Sequence, residues 1–442
     1  LLFLAVGRTV KFLEASMSAN LSAQIHQNLP ERSRQLAKLL GLVEPQPFLS
    51  FSEPHPISVS DTDCCLLKSD NLEALFNLTS NFSGAIDFCY IDPPYNTGSK
   101  FIYNDKRHST EKGIWGKHAE WMSFMLPRLV LLKDLLSESG IVTISIDDYE
   151  YAQLKILLDH IFSEDNHLGT IIVNRSKNGK GSKPHIATNH EYVLVYGKSK
   201  KSKVQGLPEQ DVASYNKEDE HGLFKVDGLF RKKGAASLRT ERPNMFYPLY
   251  FDNAGNVFTE NPTGTLKEVY PVDSKGVERR WLWGKDKASN ESWKLYASPK
   301  GVVYVKNYLT SEKRVKVRSL WDSPAYLTDR ATTEITKIFG EKVFETPKPL
   351  ALIEDLIKSC TDKDSIILDF FAGTGTTAHA AHNVNASDQG ARKTILVEQN
   401  IKIDEEHVAA KKGFRFITDI TEFRLSYIAN QTAGYKYTTI EF

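Results

Sequence analysis

Asp92-Pro93-Pro94-Tyr95 sets an acid, two fixed backbone angles and an aromatic ring side by side. The amine on an aromatic base is a poor nucleophile because its lone pair is drawn into the ring. Two acceptors aimed at its N–H bonds would favour a tetrahedral nitrogen and release that lone pair. The Asp92 carboxylate can be one acceptor and the Pro93 carbonyl the other, with Pro93 and Pro94 fixing its direction, a form of electrostatic preorganisation. Tyr95 could stack on an unstacked base. Taken alone, the tetrapeptide reads equally well as a rigid turn.

A second stretch, Phe370-Phe371-Ala372-Gly373-Thr374-Gly375-Thr376-Thr377-Ala378, follows an apolar run containing Asp369. Glycines let the backbone approach a ligand, and the start of a helix offers free N–H groups. Glu398 closes the next apolar run, where a carboxylate can bridge the two hydroxyls of a ribose. These features describe a nucleoside-binding turn. A dinucleotide-binding dehydrogenase is the rival, because Gly373-x-Gly375-x-x-Ala378 also fits its fingerprint. Such a fold needs about five more strands after the first, and too little chain follows Gly375 to supply them.

The elements that must position both stretches alternate between strand and helix patterns. Apolar runs at Cys64–Leu67, Ala85–Ile91, Ile141–Ile146, Thr170–Val173 and Tyr192–Tyr196 read as strands, and Ser365–Phe370 and Thr394–Glu398 complete the set. Helical patterns cover Leu72–Leu78, Glu120–Leu136 (interrupted by Pro127 and closed by Gly140), Tyr151–Phe162 and Leu350–Lys358. The alternation implies an α/β sheet covered on both faces. Its missing first strands must come from the amino-terminal half, with the Asp369 strand inserted beside the Asp92 strand. The expected fold is a circularly permuted, doubly wound, Rossmann-like sheet. Ligands bind such sheets where strand order reverses, so both turns would share one crevice. There an in-line displacement at a sulfonium methyl could reach the amine of a flipped-out base. None of these steps needs a metal.

Between residues 198 and 325 short aromatic and basic segments replace the alternation, which predicts an inserted domain. The expected organisation is an extension over 1–50, a first catalytic part over 51–197, the insert, and a second catalytic part over 326–442. From Arg279 to Arg318 there are eleven Lys/Arg against three acids, interleaved with Trp281, Trp283, Trp293, Tyr296, Tyr304 and Tyr308. A second run, Arg175 to Lys203, holds eight Lys/Arg and one acid, Glu191. Such clusters suit phosphate contacts, although a solvated surface and the insert's own core are the plainer readings.

The net charge of +1 by itself does not point to nucleic acid. Cys64, Cys65, Cys89 and Cys360 form no Cys-x-x-Cys pair, which disfavours structural zinc and suits a reducing cytoplasm. No apolar run reaches membrane-spanning length. Met17-Ser18-Ala19-Asn20 looks like an ordinary start, so residues 1–16 are expected to lie upstream of the native chain. Asp147-x-x-Glu150 reads as a capping box before the helix at Tyr151. His185 and His190 show no metal-ligand pattern and read as surface or hydrogen-bonding residues.

The stretches LLKSDNLEAL, IDPPYNTGSKFIYND, GIVTISIDDYE, NHEYVLVYGK, TPKPLALI and ILDFFAGTGTTAHA, over roughly residues 61–400, resemble the β class of amino-methyltransferases. The closest resemblance is to modification subunits of type III restriction–modification systems. It implies a site-specific DNA adenine-N6 methyltransferase using S-adenosylmethionine, with Asp92, Pro93, Pro94 and Tyr95 catalytic and the insert recognising the target. It further implies that Phe371, Gly373 and Gly375 contact the methionine part of the cofactor and that Glu398 holds the ribose. Lys348-Pro349 would close over the cofactor, Asp70 would reach its adenine ring, and Asp369 would complete the pocket. Double-stranded DNA is the implied partner, with a homodimer and a restriction subunit by family analogy. Ala331-Thr332, where type III subunits more often carry Gly-Thr, and the short insert weigh against a dedicated restriction subunit. The alternatives are cytosine-N4 or RNA methylation, or a catalytically silent specificity subunit.

Overall fold

The computed structural model describes residues 31–42, 57, 61–97, 114–179, 185–310 and 312–441. The expectation for residues 1–16 lies outside these. The chain forms two compact units: Pro208–Val315 is one, and the residues before and after it make up the other.

The larger unit is built on a nine-stranded sheet. In chain order its strands are β1 (Cys64–Lys68), β2 (Ile86–Ile91), β3 (Leu136–Ile146), β4 (His167–Asn174), β5 (His190–Gly197), β6 (Leu320–Trp321), β7 (Ile366–Asp369), β8 (Lys393–Glu398) and β9 (Tyr437–Glu441). They lie side by side as β6-β4-β5-β3-β2-β7-β8-β1-β9. Only β5 runs against its neighbours. The late strand β7 pairs with the early strand β2, Ile367 opposite Phe88 and Leu368 opposite Cys89, so the permutation read from the sequence is present.

Helices α1 (Asn71–Phe82), α2 (Ala119–Leu135) and α3 (Tyr151–Phe162) cover one face of the sheet. Helices α5 (Leu350–Cys360) and α6 (Thr376–Asp388) cover the other, while α4 (Thr328–Phe339) and α7 (Ile417–Gln431) flank the carboxyl-terminal half. The two-residue alternation of β2 shows why its run is nearly all apolar. Cys89 and Ile91 enter the first core, and Phe88 and Tyr90 the second. Asp87 breaks the run because its carboxylate accepts from the Ile366 amide (3.0 Å) and the Ser137 hydroxyl (3.1 Å).

Several expectations change. Helix α2 runs unbroken through Pro127, held in place by the buried Leu126 and Leu129 on either side. Gly140 does not follow a helix end; β3 already begins at Leu136, and the register shift between Ile86 and Phe88 takes up the intervening residues. A side chain at Gly140 would meet the Ile86 and Ser137 carbonyl oxygens at 2.9 Å. Strands β6 and β9 carry no strong sequence pattern and form by pairing with β4 and β1 at the sheet edges.

The smaller unit contains a four-stranded and a three-stranded antiparallel sheet. Its core includes Trp281, stacked on Phe230 at 5.3 Å, whose Nε1 donates to the Tyr247 carbonyl. Trp293, by contrast, is 39% exposed. Part of the basic cluster is paired internally: Arg279 with Asp273, Lys294 with Glu291 and Lys306 with Asp219. Among the described residues, no helix is long and apolar enough to cross a membrane.

Candidate active site

Strand β2 delivers Asp92 at its carboxyl end, and the turn after it is held from α2. The buried Trp121 donates its Nε1 proton to the Pro94 carbonyl at 2.6 Å. Asn96 follows in the left-handed region at φ 59°, which asparagine tolerates better than most residues. Its side-chain amide donates to Glu150 Oε1 at 2.7 Å, and His118 Nδ1 meets the same oxygen at 2.9 Å. Glu150 is completely buried, and burial pushes its carboxyl above the usual range. The expected capping box is therefore absent. Glu150 makes no side-chain bond to the start of α3 because it points inward to brace the Asp92 turn, and Asp147 caps only locally, accepting from the Tyr149 amide.

A cluster of charges converges on Asp92. The Tyr95 hydroxyl donates to Asp92 Oδ1 at 2.7 Å, and Lys348 Nζ lies 3.1 Å from the same oxygen. Lys348 also donates to the Tyr95 hydroxyl at 2.7 Å and to Glu191 Oε2 at 3.1 Å, and Arg175 Nη1 stands 3.5 Å from that Glu191 oxygen. Burial would lower the Lys348 ammonium, but the Asp92 and Glu191 carboxylates outweigh it and hold the group above its ordinary value. Burial raises the Asp92 carboxyl, and Lys348 opposes that rise. Glu191 and Arg175 escaped the sequence reading. The available signal was Glu191 as the lone acid in a basic run on a buried strand.

On the neighbouring strand, β7 ends at Asp369, whose carboxylate accepts from the Phe371 amide (3.0 Å) and the Thr377 hydroxyl (2.5 Å). Burial pushes that carboxyl up to about 7. The following turn needs its glycines: Gly373 and Gly375 have φ of 52° and 76°, and a side chain at Gly375 would meet Thr421 at 3.2 Å. Glu398 Oε2 accepts from the Gly373 amide at 2.6 Å, and burial raises the Glu398 carboxyl to about 8. From α7, Thr421 donates to the Gly373 carbonyl, and the buried Arg424 donates to the Thr374 and Thr376 hydroxyls.

One cleft of about 340 Å³ joins the two ends. Asp70, Asp92, Pro94, Lys348, Asp369, Phe371, Gly373 and Glu398 line it. Pro93, Tyr95, Pro349 and Gly375 stand behind this lining; Tyr95 reaches Asp92, Pro349 caps α5 and Gly375 caps α6. Asp70 caps α1, accepting from the Leu72 amide, with Arg128 at 3.5 Å. His190 lies in β5 beside the Tyr192 hydroxyl, and His185 is exposed. Among the described residues, no group of three or more acidic, histidine or cysteine side chains could hold a metal ion.

Residues 86–412 match the family model described as DNA methylase. The chain belongs to this family. It is 54% identical over 408 residues to the type II methyltransferase M.KpnI of Klebsiella pneumoniae, covering 92% of this chain and 97% of that protein. It is 32% identical to the EcoPI Mod subunit of Escherichia phage P1, a type III restriction–modification protein, over 89% of this chain and 67% of that one. A solved structure, the cytosine-N4-specific PvuII DNA methyltransferase, aligns over 86% of this chain and 96% of its own at 12% identity and a TM-score of 0.40. This DNA methylase takes its methyl group from S-adenosylmethionine and acts on DNA. The cleft fits that cofactor: it has a carboxylate at Glu398 for ribose hydroxyls and is lined by the turn at Phe371, Ala372 and Gly373.

Proposed function

We propose that this DNA methylase modifies adenine at N6 within a specific sequence, with Asp92 as the catalytic acceptor. The observation that carries the reading is the pairing of β2 with β7, which opens the Asp92 end and the Phe371–Gly375 turn into one cleft. Glu398 would hold the ribose, Phe371 and Gly373 the methionine part, and Asp70 would face the adenine ring of the cofactor. When bound, S-adenosylmethionine supplies an electrophilic methyl group on a sulfonium. Asp92 and the Pro93 carbonyl accept hydrogen bonds from the two amine N–H groups, which frees the lone pair for in-line attack, and Tyr95 stacks on the flipped base. Asp rather than Ser before Pro-Pro-Tyr favours adenine over cytosine.

The smaller unit is the candidate for target recognition. Lys285 and Lys300 are exposed and make no ion pair among the described residues, unlike the internally paired Arg279, Lys294 and Lys306. Such free cations suit DNA phosphates. The high identity to a protein named as a type II methyltransferase supports modification without an obligatory restriction subunit. A homodimer is the expected assembly, and light scattering of the purified protein would test it.

Expression in a methylation-deficient host, followed by single-molecule mapping of modified bases, tests the main reading. N6-methyladenine at one recurrent sequence is the expected result. N4-methylcytosine, or no modified DNA base from a cofactor-binding preparation, overturns it.

A further inference from the structure

A buried carboxylate without donors tends to take up a proton rather than stay ionised. At Asp92 Oδ1 two groups oppose this: the Tyr95 hydroxyl donates to it, and the Lys348 ammonium forms an ion pair with it at 3.1 Å. The hydroxyl and the ammonium together crowd this oxygen, and a target amine that is to donate to it takes the place of one of them. Pulling Lys348 off Asp92 into an apolar interior would leave two unpaired buried charges, which is strongly unfavourable. The structure offers another course: Glu191 Oε2 already lies 3.1 Å from the same Nζ. Glu191 is 4% exposed, and Arg175 at 3.5 Å keeps this second carboxylate in place.

We propose that Lys348 is a placeholder for the target amine on Asp92, and that Glu191, steadied by Arg175, is the positioning residue that takes the ammonium over when a base enters. Lys348 keeps its protons throughout; only its partner changes. The empty site stays ionised and ordered, and the acceptor oxygen is released at the moment of binding. This rests on the reading of Asp92 as the amine's acceptor.

The test is a double-mutant cycle read by single-turnover methyl transfer at saturating cofactor and DNA, with thermal melts as a folding control. In Glu191→Gln the ammonium has no second carboxylate and stays on Asp92. The rate is expected to fall about tenfold or more while KM for DNA changes little. Added to Lys348→Met, the same substitution should cause almost no further loss, because there is no ammonium left to relocate. A wild-type rate in Glu191→Gln, or equal losses in both backgrounds, overturns the proposal. If Glu191→Gln does not fold, Arg175→Met replaces it: a smaller loss that vanishes in the Lys348→Met background supports the proposal, and one that persists overturns it. Asp92→Ala in the same series separates the two levels, since an active Asp92→Ala enzyme would refute the underlying reading itself.

Discussion

The two ends of the cleft are built in different ways. At the Phe371–Gly375 end the turn itself is one short stretch shaped by left-handed glycines and backbone amides, and Glu398 and α7 only brace it. At the Asp92 end the backbone turn is local, but the side chains around its acid arrive from just past β4, from β5 and from the segment before α5. A ligand that must be recognised by its shape and hydroxyls suits a preformed turn. A carboxylate that must remain ionised while buried requires cations delivered from elsewhere in the fold. One end is thus set by backbone conformation and the other by charge balance, and they should fail differently.

The largest effect is expected at the charge-balanced end. Asp92→Ala should reduce the methyl-transfer rate by about a thousandfold or more while calorimetry still detects cofactor binding. Loss of cofactor binding along with the rate would mean that the two ends are not separable. Glu398→Ala should do the reverse, weakening cofactor affinity by about tenfold to a hundredfold with most of the rate recovered at saturation. At the same turn, Gly375→Ala forces a side chain into the left-handed region against Thr421 and should cost about 1–3 kcal/mol of stability in denaturant melts. An unchanged melt would show that the turn relaxes freely.

The smallest effect is a slope with pH. Asp369 and Glu398 are held up to about 7 and about 8 by burial, so the folded, cofactor-free protein retains protons that the unfolded chain would release. Stability present at and below the ordinary carboxylate range should therefore fall as pH rises toward about 8. Melting temperatures across that window should decline, and Glu398→Gln should flatten the decline. A rise in stability over the same window in the wild type would contradict the buried state of both groups.

Local patterns carried much of this architecture. The runs at β2, β3, β5, β7 and β8 are apolar because both faces of each strand are covered, and that burial is written residue by residue. The order of those strands relative to the glycine turn was enough to require a permuted sheet. The edge strands β6 and β9 were not legible, since they are short, half-covered and defined by their partners. Glu150 misled for a related reason: its spacing from Asp147 matches a capping box, but the energetic preference for pairing with Asn96 and His118 in the interior turns it away from the helix end.

By itself the sequence determined the α/β alternation, the two ligand-facing turns and the chemistry that an acid before two prolines can perform. Each depends on groups close together along the chain. Tertiary structure alone decided that Lys348 sits on Asp92, and that Glu191 and Arg175 stand behind it. Those contacts join residues far apart in sequence, and the requirement to neutralise a buried carboxylate acts only once the sheet has brought them together.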